Sequence, residues 1–81
     1  MGKFYPLTNY LSNITEKNLV LSFSEIERII SEQLCYSAYT YRAYWAPSKT
    51  HMLPNAILEA GFEIDNIDLS KQRIILKKAE Q

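Results

Sequence analysis

The chain carries one cysteine, one histidine and two glycines, and each scarcity removes a class of function. A single cysteine permits no intrachain disulfide, and Cys35 reads as a small buried hydrophobe in a reducing compartment. His51 has no second histidine or cysteine near it, so a zinc site is not expected. No oriented partner for acid–base work is evident beside it either; it reads as an exposed loop residue. Gly2 and Gly61 cannot build a glycine-rich phosphate loop. There is no excess of either charge: nine Lys and Arg face nine Asp and Glu. Bulk electrostatic attraction to nucleic acid is thereby disfavoured. No apolar run approaches a membrane span, and the amino terminus shows no signal-peptide core. Met1-Gly2 is followed by Pro6 where a myristoylation signal needs Ser or Thr, and Asn13-Ile14-Thr15 matters as a glycosylation pattern only on secretion. These absences predict a cytoplasmic protein with no cofactor, no metal, no membrane partner and no enzymatic activity.

What is present is a core. Apolar residues make up 47% of the 81, enough for one small domain spanning residues 1–81. Six tyrosines and one tryptophan supply side chains suited to half-buried contact surfaces. Charge sums to zero but is segregated. Acids gather at Glu25, Glu27 and Glu32, and again at Glu59, Glu63, Asp65 and Asp68. Residues 35–58 contain no acid yet hold Arg42, Lys49 and His51, while Lys71, Arg73, Lys77 and Lys78 follow near the end. Glu63, Asp65 and Asp68 match no cation-binding loop and read as the solvated side of a hairpin.

Periodicity and punctuation give the elements. A helix is expected over Lys3–Asn13, with Pro6 near its start and Leu7, Tyr10 and Leu11 on one face. Leu19–Leu21 is a short β-prone run. Ser22-Phe23-Ser24-Glu25 is a capping box, with Leu21 and Ile26 placed as a hydrophobic staple, and it opens a helix from Phe23 to about Gln33. Leu34, Cys35 and Tyr36 form a connection. Ser37 is the expected N-cap of a helix from Ala38 towards Ala46, with Ala38, Tyr41 and Trp45 on its core face; the four aromatics there also permit a strand. Pro47 ends this element, and Pro54 opens a short helix to Ala60 with Gly61 as its stop. Phe62–Leu69 reads as a strand whose alternation slips phase, which predicts a bulge at Asp65-Asn66. Ser70–Arg73 is a turn and Ile74–Lys77 the returning strand.

This order predicts an α+β domain of winged-helix-like topology: three or four short helices, a C-terminal β-hairpin and a short third strand. The helix after Ser37 would be the recognition element and the hairpin the wing. A three-stranded α+β domain without a nucleic-acid role is the competing reading.

Four runs then carry a likeness. They are Phe4-Tyr5-Pro6-Leu7 with Tyr10-Leu11; Leu21 to Glu27; Ser37-Ala38 with Arg42-Ala43-Tyr44-Trp45-Ala46; and Leu58-Glu59-Ala60-Gly61-Phe62 with Ile67-Asp68. In this order the chain resembles a family of small uncharacterised bacterial domains. Its pattern is a proline-led first helix, an "FxEIE" helix, an "SA…RAWW" segment and an "LxAGW…VD" turn into a strand. The chain departs from it by Tyr44 and Phe62 in place of tryptophans and Pro47 in place of an asparagine. The resemblance implies fold more than function. Similar domains occur alone and beside nuclease-like domains, which points to DNA.

Two functions follow as expectations. The first is a non-enzymatic DNA-binding module, with Thr40, Arg42 and Lys49 contacting groove or phosphate and Lys71 and Arg73 contacting phosphate from the wing. The second is a protein-interaction module, a small regulator or inhibitor of phage or host-defence type, in which Tyr and Trp supply contact area. The open sheet edges leave room for a homodimer.

Overall fold

Ser22 sets the register of the amino-terminal half. Its Oγ accepts from the Glu25 amide at 3.0 Å, and its own amide donates to Glu25 Oε1 at 3.0 Å, the reciprocal bonding of a capping box. Both staple residues, Leu21 and Ile26, are buried beside it. The computed structural model in which these contacts are seen describes residues 2–46 and 52–79. Pro47, Lys49 and His51 lie outside them.

The elements run α1 (Tyr5–Ser12), β1 (Asn18–Ser22), α2 (Phe23–Ile30), α3 (Tyr36–Thr40), a 3-10 turn (Arg42–Trp45), α4 (Met52–Glu59), β2 (Phe62–Asp68) and β3 (Arg73–Lys78). The sheet is antiparallel with β3 in the centre and β1 and β2 at its edges. This is the α+β class with a C-terminal hairpin and a short third strand. Leu7 and Leu11, Leu21, Phe23 and Ile26, Trp45, Leu53 and Ile57, Phe62, and Ile74 and Leu76 meet in one buried cluster. The helices therefore all cover the same sheet face.

Several local expectations hold. The register of β2 on β3 shifts between Ile64 and Asn66, leaving Asp65 as the bulged residue. Gly61 follows α4 with φ +89°, a left-handed conformation that only glycine adopts without cost. Others are corrected. The helix expected to reach Gln33 ends at Ile30, because Ser31 takes φ 60° and closes it as a left-handed cap. Cys35 is exposed, not buried, since it precedes α3 as its N-cap; Ser37 is already inside that helix.

The largest correction concerns residues 38–46, which do not form one helix. α3 stops at Thr40, and Tyr41 is extended at φ −118°, ψ 123°. A continuous helix would pair the Ala38 carbonyl with the residue 42 amide. Instead the Trp45 indole Nε1 donates to that carbonyl at 2.9 Å. The chain thus folds back so that Ala38 and Trp45 both enter the core. Trp45 stacks on Phe23 at 5.2 Å between ring centroids, and Tyr44 meets Trp45 edge-on at 5.2 Å. Tyr41, expected on the core face, is turned out and 55% exposed.

Candidate functional site

The five residues proposed for nucleic-acid contact are placed unequally. Thr40 is exposed at the end of α3, and Lys49 lies outside the described residues. Arg42 is exposed but engaged: Nη1 donates to the Ile67 carbonyl at 2.8 Å and Nη2 to Asn66 Oδ1 at 3.2 Å. The same Asn66 oxygen accepts from the Ile67 amide at 2.9 Å. Arg42 therefore ties the 3-10 turn to the edge of β2 just past its bulge. Arg73 stands opposite Asp68 and Ser22 on the sheet face away from the core. Its Nε lies 3.8 Å from Asp68 Oδ2, too long for a hydrogen bond, and that water-shielded nitrogen finds no other partner among the described residues. Lys71 is exposed in the turn, where its amide donates to Asp68 Oδ1 at 3.1 Å.

Arg42, Lys71 and Arg73 thus converge on residues 66–68, but around acceptors of the chain itself. The hydrogen bond from the Lys71 amide holds the Asp68 carboxyl below its ordinary range, with Ser70 and then the charges of Arg73 and Lys71 adding to it. Two rows further along the sheet, past Ile75, Lys77 lies 3.5 Å from Glu63 and 3.7 Å from Asp65. The outer face of the sheet is a set of cross-strand ion pairs with Val20 and Ile75 between them, a neutral surface and not a basic one.

Around the aromatic run, part of the surface is structural. Glu27 Oε2 accepts from the Tyr39 hydroxyl at 2.7 Å and from the Leu34 amide at 2.8 Å, pinning the α2–α3 connection. The bond to Glu27 raises the Tyr39 hydroxyl above its ordinary value. Burial pushes Tyr44 up to about 12, with the charge of Cys35 and a hydrogen bond to it contributing. What is left outside is a pair of tyrosines that reading along the sequence did not single out. Tyr36 is 74% exposed and Tyr41 55%. Their rings meet edge-on at 6.3 Å between centroids. They are five residues apart, a spacing that helical periodicity does not bring together; the break at Tyr41 does.

A groove of about 380 Å³ runs between α1 and α4 past Tyr5, Thr8, Met52 and Glu59. A second cleft of about 600 Å³ lies along β2 by Arg42, Leu58, Asp65 and Lys77. In the first, the Thr8 hydroxyl donates to the Ala56 carbonyl at 2.9 Å; in the second, Lys77 is ion-paired with Glu63 and Asp65. Among the described residues no group of three or more His, Cys, Asp or Glu could hold a metal ion, and no helix is long and apolar enough to cross a membrane.

Neither the curated proteins nor the solved structures provide a match to this chain. One family model matches over residues 4–79, from the start of α1 to the end of β3, and it describes a domain of unknown function, DUF7662. With its whole folded span covered by that model, the chain belongs to the DUF7662 family.

Proposed function

We propose that this domain is a non-enzymatic protein-interaction module whose contact surface is the Tyr36–Tyr41 pair with the neighbouring Thr40. The exposure of that pair carries the reading. Two large amphipathic rings lie on the surface while Phe23, Tyr39, Tyr44 and Trp45 supply the aromatic packing inside. Tyrosines in such a place offer broad contact area with little side-chain entropy to lose. A neutral surface laced with internal ion pairs suits a protein partner better than a polyanion.

The test is a comparison of the wild-type domain with Tyr36→Ala/Tyr41→Ala. Cross-linking and nuclease-treated pull-down identify a partner, and calorimetry on the purified pair measures the affinity. The two proteins should melt alike, and the double variant should bind the partner at least about tenfold more weakly. Equal binding by the two proteins, or recovery of nucleic acid alone, would overturn the reading.

A second reading is favoured by the chain order with a central β3. A winged-helix DNA-binding domain has a helix–strand–helix–helix–hairpin layout, which this chain follows apart from the 3-10 turn and α4 inserted before the hairpin, and Lys71 stands exposed at the hairpin turn. The likeness to bacterial domains found beside nuclease-like domains points the same way. Two features count against it. The recognition position holds only the five residues of α3, and Arg42 and Arg73 are engaged within the chain. Titration of labelled duplex at low salt decides: no binding at tens of micromolar removes this reading, whereas binding weakened in Lys71→Ala with a salt slope smaller by about one supports it.

A further inference from the structure

The two edges of the sheet are treated differently. On β2 the edge is blocked. Ile67 has its amide taken by Asn66 Oδ1 and its carbonyl by Arg42 Nη1. Asp65 bulges just before it, and Glu63 and Asp68 add charge. These are the devices that keep an edge strand from pairing with another chain.

β1 has none of them. Its sequence, Asn-Leu-Val-Leu-Ser, holds no charge and no proline, and its register against β3 is unbroken. The direction of its backbone groups follows from bonds at both ends. Lys78 N–H donates to the Lys17 carbonyl, and Phe23 N–H donates to the Gln72 carbonyl. Alternation along the strand then turns Leu19 and Leu21 towards β3 and Asn18, Val20 and Ser22 towards the open side. The Ser22 amide confirms the phase, since it is bonded to Glu25 in the capping box. That leaves the amides and carbonyls of Asn18 and Val20 facing outward, without a backbone partner among the described residues. Val20 is also 51% exposed.

We propose that β1 is an association edge, and that its occupant is β1 of a second copy of this chain, paired antiparallel about a two-fold axis at Leu19. In that register Asn18 of each copy lies opposite Val20 of the other. Each such pair exchanges two hydrogen bonds, so all the outward groups of Asn18 and Val20 are used. A register centred on Val20 would instead require the Ser22 amide, which the capping box holds. The strand is complementary to itself in this arrangement. No like charges meet across it, half-buried Leu19 gains its own symmetry mate on the core side, and a chain of zero net charge does not repel its copy. An isologous contact of this kind closes at two subunits, joining the two sheets into one. It is independent of the tyrosine surface, which lies after α2.

Sedimentation equilibrium of the full chain, from about 10 µM to about 1 mM, tests it, because so short a strand pair belongs with the weak, small interfaces. A monomer–dimer equilibrium is expected. Val20→Lys places a charge at the exposed centre of the edge and should weaken the dimer at least about tenfold. Val20→Thr retains the edge and should leave it unchanged. Val20→Pro removes an outward amide without touching the β1–β3 ladder and should also give a monomer; if its backbone does not tolerate the ring, the exposed lysine variant carries the test. A wild-type monomer at the highest concentration would overturn the proposal. So would a dimer that Val20→Lys does not weaken, because its contact would lie elsewhere, or an edge that takes up only foreign extended peptides.

Discussion

Truncating Trp45 to alanine tests the fold at the point where sequence and structure differ most. The ring is 2% exposed, stacks on Phe23 at 5.2 Å and donates to the Ala38 carbonyl at 2.9 Å. Removing an aromatic from such a core costs about 3–5 kcal/mol. The Ala38 carbonyl, left without a donor, adds about 1–3 kcal/mol where water cannot reach it. A domain of this length holds about 4–12 kcal/mol in all. Trp45→Ala should therefore lose about 4–8 kcal/mol, enough to unfold a domain at the lower end of that range. Trp45→Phe keeps a packed six-membered ring but loses the N–H and part of the indole volume, so it should fold with a loss of about 1–3 kcal/mol. Since Trp45 is the single tryptophan, tryptophan fluorescence cannot follow its variants; far-UV circular dichroism during urea titration can. A Trp45→Ala protein melting within about 1 kcal/mol of wild type would refute the reasoning. If Trp45→Phe instead falls as far as Trp45→Ala, the indole hydrogen bond, and not ring packing, holds the turn.

Three further outcomes are expected. Ser22→Ala breaks the capping box at one of its two bonds and should lower stability in urea by about 1 kcal/mol. Arg42→Ala should lower it by about 1 kcal/mol, because two hydrogen bonds to β2 are lost from an exposed charged donor; an unchanged melt would mean that those bonds do not hold in solution, freeing Arg42 for a partner. Tyr44 sits raised from 10.0 to about 12, so its contribution is fully present below pH 10 and is lost as pH rises through about 12. Melts across this interval should show that loss in wild type and a smaller one in Tyr44→Phe, and an identical pH profile in both would show that Tyr44 is not the group responsible.

The parts of this fold that could be read along the chain are those whose causes lie within a few residues. The capping box needs Ser22 and Glu25 only. The bulge shows as a slip of phase between Ile64 and Ile67, and the end of α4 shows as Gly61 at its positive φ. Residues 38–46 differ from the expected helix because the spacing of Ala38, Tyr41 and Trp45 is helical, while the event that breaks the helix is a side-chain bond from Trp45 back to a backbone carbonyl. Every residue carries such a carbonyl, so periodicity gives it no mark. The same reason hid the state of Arg42. Its main acceptor is the carbonyl of Ile67, 25 residues away, and an arginine held there has the same letter as one waiting for a phosphate. An argument from cations in an acid-free segment therefore counts charges without knowing which are already bonded. The exposed tyrosines escape this ambiguity from the other side. Their rings need no charged partner, and what decides their availability is burial alone, which the break at Tyr41 sets. The step that removes Tyr41 from the core also brings its ring to Tyr36, so the feature that cuts α3 short at Thr40 is the one that places the two exposed tyrosines side by side.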